Sequence, residues 1–395
     1  MSRFLFVVPP LTGHINPTVG VAAELTARGH VVAWACPDPE LVGRLAGPGA
    51  GAVFACAGTP QGERPAGLRG PEALKFLWEW YLLPLARTMA PGVRAAVEAF
   101  RPDVVVADQQ AFAGALVAER LGLPWATSAT TSAEFTDPLA GLPKVSQWLA
   151  EQLAELRVAV GDPAGTVDPR FSPQLVLAFS TPELAGTSHS GVRWVGPSIT
   201  ARPSAAGFPW AWLDPGRVTV LVTLGTANTD VGGRFLDTCR SALRERADRM
   251  QGVIVDPGGM LEPHGDGGEG DGDDKDVLIV PSVPQLALLE RGVGAVVCHA
   301  GHNSVCEALW HGVPLVVAPI RDDQPVVAGQ VVDAGAGVRV RFGRVTAQKL
   351  GAALDAVLDD PAHSAAAERI RTAFRAAGGA SAAAAHLDGL AREFR

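Results

Sequence analysis

Between Val293 and Pro325 the chain reads as strand, turn, helix, strand. Two apolar runs of strand length, Val293–Cys298 and Val313–Ala318, bracket a glycine-containing turn and a short amphipathic segment with Val305, Ala308 and Leu309 at helical spacing. The polar residues His299, Asn303, Ser304 and Glu307 fall in that turn and in the first helical turns. In an α/β unit this is the carboxyl edge of the sheet, where free backbone N–H groups and the positive end of the helix dipole can receive an anion.

The same alternation runs through the rest of the chain. Arg3–Pro9, Val31–Cys36, Val53–Ala57, Asp103–Ala107, Trp125–Ser128, Leu175–Phe179 and Arg193–Val195 read as strands of a first half, with helical segments between them. Asn16 and Pro17 read as N-cap and first position of the first helix, and Gly29 as its stop. Glu72–Phe100 reads as helical with interruptions at Pro84 and Pro91. A second series follows: Val218–Thr223, Val253–Val255, Val277–Val280, Val293–Cys298, Leu315–Ala318 and Gly337–Arg341. Between the halves lies a stretch with prolines at 197, 203, 209 and 215 and no periodicity. The expected layout is a first domain 1–198, a linker 199–216, a second domain 217–378 and a last helix 379–395. The fold class is α/β, with two doubly wound parallel sheets. At 395 residues the chain exceeds what a single core usually supports, which agrees with two domains.

Composition narrows the function classes. Lys and Arg number 33 against 41 Asp and Glu, with no basic cluster, so a nucleic-acid partner is not expected. No apolar run approaches the roughly 20 residues that span a bilayer, and the short run after Met1 reads as a first strand rather than a leader. The five cysteines are scattered without ligand spacing, which points to free thiols and a cytoplasmic setting, with no disulfide framework or structural zinc. The acidic, glycine-rich Gly265–Asp276 lacks the spacing of a calcium loop and reads as a solvated loop.

Two residues at exits of first-half strands can do proton chemistry. His14 lies in the turn after the first strand, and an imidazole there can take a proton from a hydroxyl. Asp108 follows another strand of the same sheet and can hold Nδ1–H of that imidazole, fixing its tautomer. Taken singly, His14 also fits a surface histidine and Asp108 a helix cap; the pair at one sheet edge carries the reading. In the second half, Thr223–Thr226, Val283–Gln285 and Asp322–Gln324 lie at further strand-to-helix turns, so they can converge on one crevice with the His299 turn.

The motifs PPLTGHINP, VTLGT, VPQLALL and HAGHNSVCEALWHGVPLVVAPIRDDQ, with Asp108 after VVVA, resemble those of nucleotide-sugar glycosyltransferases of the GT-B fold. The resemblance is to the family that includes plant natural-product glucosyltransferases and bacterial macrolide and antibiotic glycosyltransferases, and it runs in order from residue 5 to about 330. It implies two Rossmann-like domains facing a cleft, with the last helix crossing back to the first domain. It implies an inverting hexosyltransferase that uses a UDP- or TDP-linked sugar, with no metal and no cofactor beyond that co-substrate. By resemblance His14 is the base and Asp108 its partner. His299, Gly301, Asn303 and Ser304 hold the diphosphate, Glu307 the ribose, and Val283 and Gln285 the base. Asp323 and Gln324 contact the sugar, and Gly225 and Thr226 lie near the donor. Ser282 stands where many relatives have a stacking Trp, so the resemblance does not choose between uracil and thymine.

The acceptor is expected to be a small hydrophobic molecule with a hydroxyl, and Trp78, Phe112 and Phe135 are the aromatics assigned to its pocket. A monomer and a homodimer are both compatible with the sequence. Two other functions fit the same motifs: a nucleotide-sugar epimerase on the same fold, and a non-catalytic nucleotide-sugar-binding auxiliary protein. The His14 and Asp108 pair beside an apolar region speaks against the first, and the intact Asp323–Gln324 against the second.

Overall fold

The computed structural model describes the chain except residues 59–64, 66, 67, 69, 137, 138, 140, 188, 201–206, 226, 227, 229, 230, 262–274 and 395. Thr226, part of the linker and nearly all of the acidic loop therefore lie outside the described residues. The chain divides into two compact units, Met1–Pro203 with Phe374–Arg395, and Ser204–Ala373.

The first unit is built on a seven-stranded sheet, in the order β3-β2-β1-β4-β5-β6-β7. Its strands are β1 (Arg3–Val7), β2 (Val31–Cys36), β3 (Ala52–Ala55), β4 (Val104–Asp108), β5 (Trp125–Ala129), β6 (Leu175–Ala178) and β7 (Val192–Trp194). All pairings are parallel, with Val7 opposite Ala107 and Asp108 opposite Ser128. The apolar run of β1 has a physical reason: the strand is covered on both faces, so neither set of alternating residues meets water. Leu5 and Val7 enter one core and Phe4 and Phe6 the other. Phe6 stacks on Trp34 of β2 at 5.0 Å between ring centroids.

The second unit holds a six-stranded parallel sheet in the order β10-β9-β8-β11-β12-β13. These are β8 (Val218–Thr223), β9 (Met250–Val255), β10 (Val277–Val280), β11 (Val293–Cys298), β12 (Leu315–Val317) and β13 (Gly337–Arg339). In each sheet the order reverses beside the first strand, between β1 and β4 and between β8 and β11. Ligands of open α/β sheets bind outside the carboxyl ends at such a switch point. The helix Gly379–Glu393 belongs to the first unit, where it packs on the helix Thr12–Ala27; Arg28 there donates to Ser381 O at 2.9 Å.

Two expectations about helix ends are corrected. The first helix runs Thr12–Ala27, with Leu11 at the N-cap, so Asn16 and Pro17 lie inside it and His14 sits in its first turn. The proline forgoes one backbone bond to Gly13, and burial of Ile15, Val21 and Leu25 outweighs that loss. Nor do the prolines break the next helical segment. Just before Pro84 the backbone widens to a π-turn over Leu77–Leu82, with Leu83 N bonded to Trp78 O, and Pro91 lies inside the helix Leu83–Phe100. All five cysteines are free and buried, and burial pushes the Cys36 thiol up to about 11. Among the described residues no helix is long and apolar enough to cross a membrane.

The helix Phe112–Arg120 follows Asp108 and lies close on the sheet behind it. A Cβ added at Gly114 would come within 2.9 Å of the Cβ atoms of Ala107 and Val7. Gly114→Ala is expected to push the helix off β1 and β4 and to lower stability by about 1–3 kcal/mol. Urea denaturation measures this, and an unchanged midpoint would show that the contact yields freely.

Candidate active site

In the first unit, three neighbouring strands deliver three side chains to one point. His14 follows β1, Asp108 ends β4, and Thr130 stands just past β5. Nδ1 of His14 lies 3.0 Å from each carboxylate oxygen of Asp108, and Thr130 Oγ1 is 2.8 Å from the same nitrogen. Thr130 donates its hydroxyl proton to Asp108 Oδ2 at 3.0 Å, and the Gln110 N–H donates to Oδ1 at 2.8 Å. The carboxylate is sealed, with 0% side-chain exposure, whereas His14 retains 16%. A carboxylate facing Nδ1 places the imidazole proton there and leaves Nε2 as the basic nitrogen. Asp108 is not a helix cap: the helix behind it starts at Phe112 and has Ala111 as its N-cap.

Nothing in the sequence singles out Thr130. It sits in SATTS, where Ser128, Thr130, Thr131 and Ser132 are alike in type, and only the strand register singles one out. Nearby, Gln109 is buried, with Oε1 accepting the Thr131 N–H at 3.2 Å and Nε2 lacking a protein partner.

The aromatics assigned to an acceptor pocket occupy cores instead. Trp78 and Phe112 are 4% and 1% exposed and pack on each other at 5.3 Å between centroids. Phe135 is held between Phe171 and Trp194. Large aromatic surfaces gain more from complete burial than from standing on a wall. Trp80 is the exposed member of that segment.

In the second unit, His299 follows β11, and Gly301 caps the helix His302–Trp310. The imidazole lies in a cradle of two glycines. A Cβ at Gly225 would stand 2.7 Å from its Cε1, and one at Gly301 would stand 2.3 Å from its Nε2. Gly225 and Ala300 both take the left-handed conformation, with φ of 71° and 64°, which folds the two turns around the ring. Nδ1 of His299 is buried without a partner. Burial pushes the imidazole down to about 4, with Arg321 adding to the effect and a backbone contact at Thr223 opposing it. His299 is therefore neutral near pH 7 and can bond a phosphate oxygen only as a hydrogen-bond donor.

Asn303 and Ser304 are half-buried in the first turn of that helix, and Glu307 is buried one turn on. Gln285 opens the helix Gln285–Glu290, and its Nε2 donates to Glu307 Oε2 at 2.7 Å, so the residues expected at base and ribose are linked. Val283 is half-buried beside an exposed Ser282. Asp323 stands at the N-cap of the helix Gln324–Asp333. Asp323 and Gln324 are the pair expected to contact the sugar. The side-chain oxygen of Gln324 instead accepts the N–H groups of Ile320 and Arg321 at 2.9 and 3.0 Å, because the tight turn leaves those donors without helical partners. Arg321, the cation of the run RDDQ, has no role assigned from sequence; its Nε donates to Asn228 Oδ1 at 3.0 Å.

Two doubly wound parallel sheets, the first with a histidine–carboxylate pair at its switch point, have the architecture of GT-B glycosyltransferases. Residues 266–373 match the family described as UDP-glucoronosyl and UDP-glucosyl transferase. The chain is 31% identical to 4'-demethylrebeccamycin synthase of Lentzea aerocolonigenes, over 95% of this chain and 96% of that protein. It is 32% identical to demethyllactenocin mycarosyltransferase of Streptomyces fradiae, over 99% of this chain and 87% of that one. The crystal structure of the glycotransferase of kitacinnamycin superposes with a TM-score of 0.76 at 26% identity, over 98% of both chains. The chain belongs to this family of glycosyltransferases.

The depressed pKa of His299 makes stability depend on pH. The unfolded chain takes up this proton near 6.5 and the folded chain only near 4. Between those values the unfolded state holds more protons, so stability is retained above about pH 6.5 and lost as pH falls toward 4, by roughly 1.4 kcal/mol per unit at most. His299→Gln is expected to flatten this slope in urea denaturation between pH 6.5 and 4. Equal slopes in the two proteins would contradict a neutral, buried His299.

Proposed function

We propose that the chain is an inverting hexosyltransferase that moves a sugar from a UDP- or TDP-linked donor to a hydroxyl of a small, hydrophobic natural product. The observation that carries this reading is the His14–Asp108 pair at the switch point of the first sheet, with Nε2 left as the base. His14 Nε2 takes the acceptor's hydroxyl proton as the oxygen attacks the anomeric carbon. The bond from that carbon to the diphosphate breaks in the same displacement, which inverts the centre. Asp108 stabilises the imidazolium that forms, and Thr130 keeps the carboxylate aligned.

The diphosphate is assigned to the N-terminus of the helix His302–Trp310, with Gly301, Asn303, Ser304 and the N–H of neutral His299 as donors. Glu307, linked to Gln285, is assigned to the ribose diol, and Val283 to the base edge. Asp323 and the amide nitrogen of Gln324 are assigned to the sugar. Gly225 lets the turn after β8 close on the same place. The names of two relatives, one acting on demethyllactenocin and one a demethylrebeccamycin synthase, support an acceptor of that kind. The burial of Trp78, Phe112 and Phe135 means that other side chains would form its pocket.

The test is incubation with a panel of hydrophobic phenols and macrolides and with UDP-glucose or TDP-glucose, read by mass spectrometry as acceptor plus hexose. His14→Ala should lower kcat by about 100- to 10,000-fold on an acceptor whose hydroxyl is not already acidic, with donor affinity unchanged. Full turnover by this variant would remove His14 as the base.

A further inference from the structure

The turn after β12 carries a charge, Arg321, to which the resemblance assigns no role. β12 and β8 flank β11 in the sheet. Arg321 leaves the turn after β12, and Asn228 lies in the turn after β8. Nε of Arg321 donates to Asn228 Oδ1 at 3.0 Å, and Asn228, itself buried, is fixed by donating Nδ2–H to Leu224 O at 2.8 Å. Adjacent strands lie about 4.8 Å apart. A side chain reaching from the turn of one flanking strand to that of the other must therefore pass over the carboxyl end of the strand between them. That end is the His299–Gly301 turn, where the helix His302–Trp310 begins. The backbone from which Arg321 departs is also held, since Gln324 Oε1 accepts its N–H.

A second observation points to a ligand at this place. His299 is 8% exposed, its Nδ1 has no protein partner, and its ring stands against the glycines of both turns. The proposed displacement puts negative charge on the departing diphosphate. The imidazole is neutral and supplies a proton to a hydrogen bond but no charge, and the helix N-terminus supplies about half a unit. A guanidinium presents several N–H donors in a plane and keeps its charge at any working pH, which suits phosphate oxygens.

We propose that Arg321, held in place by Asn228, is the cation that binds the donor's diphosphate and stabilises it as it leaves. This rests on the reading that the second unit takes a nucleoside diphosphate sugar. Asn228 acts through the arginine and is a positioning residue.

Titration calorimetry with UDP and TDP, and with the matching nucleoside monophosphates, tests the assignment without an acceptor. Arg321→Ala should weaken the better diphosphate by about 10- to 100-fold and the monophosphate by clearly less. Arg321→Lys should recover part of the loss, and Asn228→Ala should give a smaller loss of the same pattern. Circular dichroism and the melting temperature without ligand confirm that each variant is folded. Arg321→Ala binding the diphosphate as tightly as the wild type would overturn the proposal. So would equal loss for diphosphate and monophosphate, which marks a structural role. A wild-type protein that binds neither diphosphate would instead overturn the donor-site reading beneath it.

Discussion

The carboxylate of Asp108 is sealed from solvent, and a buried charge persists only where donors meet it. Here the donors are the Gln110 N–H, the Thr130 hydroxyl and Nδ1–H of His14. They come from the exits of β4, β5 and β1, three strands adjacent in the sheet but widely separated in sequence. Satisfying one carboxylate thus requires the crossover that places β4 beside β1, and the parallel register that sets Asp108 opposite Ser128. The apolar strands and the close seat of Gly114 on Ala107 and Val7 serve that register.

The second sheet solves the opposite problem. Its central imidazole is stripped of solvent and of charge, because two glycine turns close on the ring where water would otherwise stand. An imidazolium there would be costly to form. In the proposed donor site, negative charge has to be met by groups whose polarity does not depend on protonation: backbone N–H groups, the helix dipole and a guanidinium. Such groups are oriented before the ligand arrives, so little reorganisation accompanies the charge.

Much of this was legible in the residues, and the gaps have physical causes. His14 and Asp108 stood out because each follows an apolar run with only one titratable side chain near its end. Thr130 did not, since four hydroxyl residues crowd that exit and register alone separates them. Asn16–Pro17 imitates a helix start, yet tertiary burial carries the helix through the proline. Trp78 and Phe112 lie in helical segments whose aromatics can line a pocket or pack a core. Their mutual contact decides for the core. The type of Gln324 suits sugar hydroxyls, but its residue type does not show that the N–H groups of a tight turn claim its oxygen and leave only the amide nitrogen for a ligand.

The exposures within the dyad also bear on turnover. In the proposed displacement the imidazole ends each cycle as an imidazolium beside Asp108, a pair that carries no net charge, and this favours taking the proton. The imidazolium must then lose that proton before the next cycle. His14 keeps 16% side-chain exposure while Asp108 has none. The carboxylate is thus shielded enough to hold the tautomer, and the imidazole remains open enough to hand its proton to water.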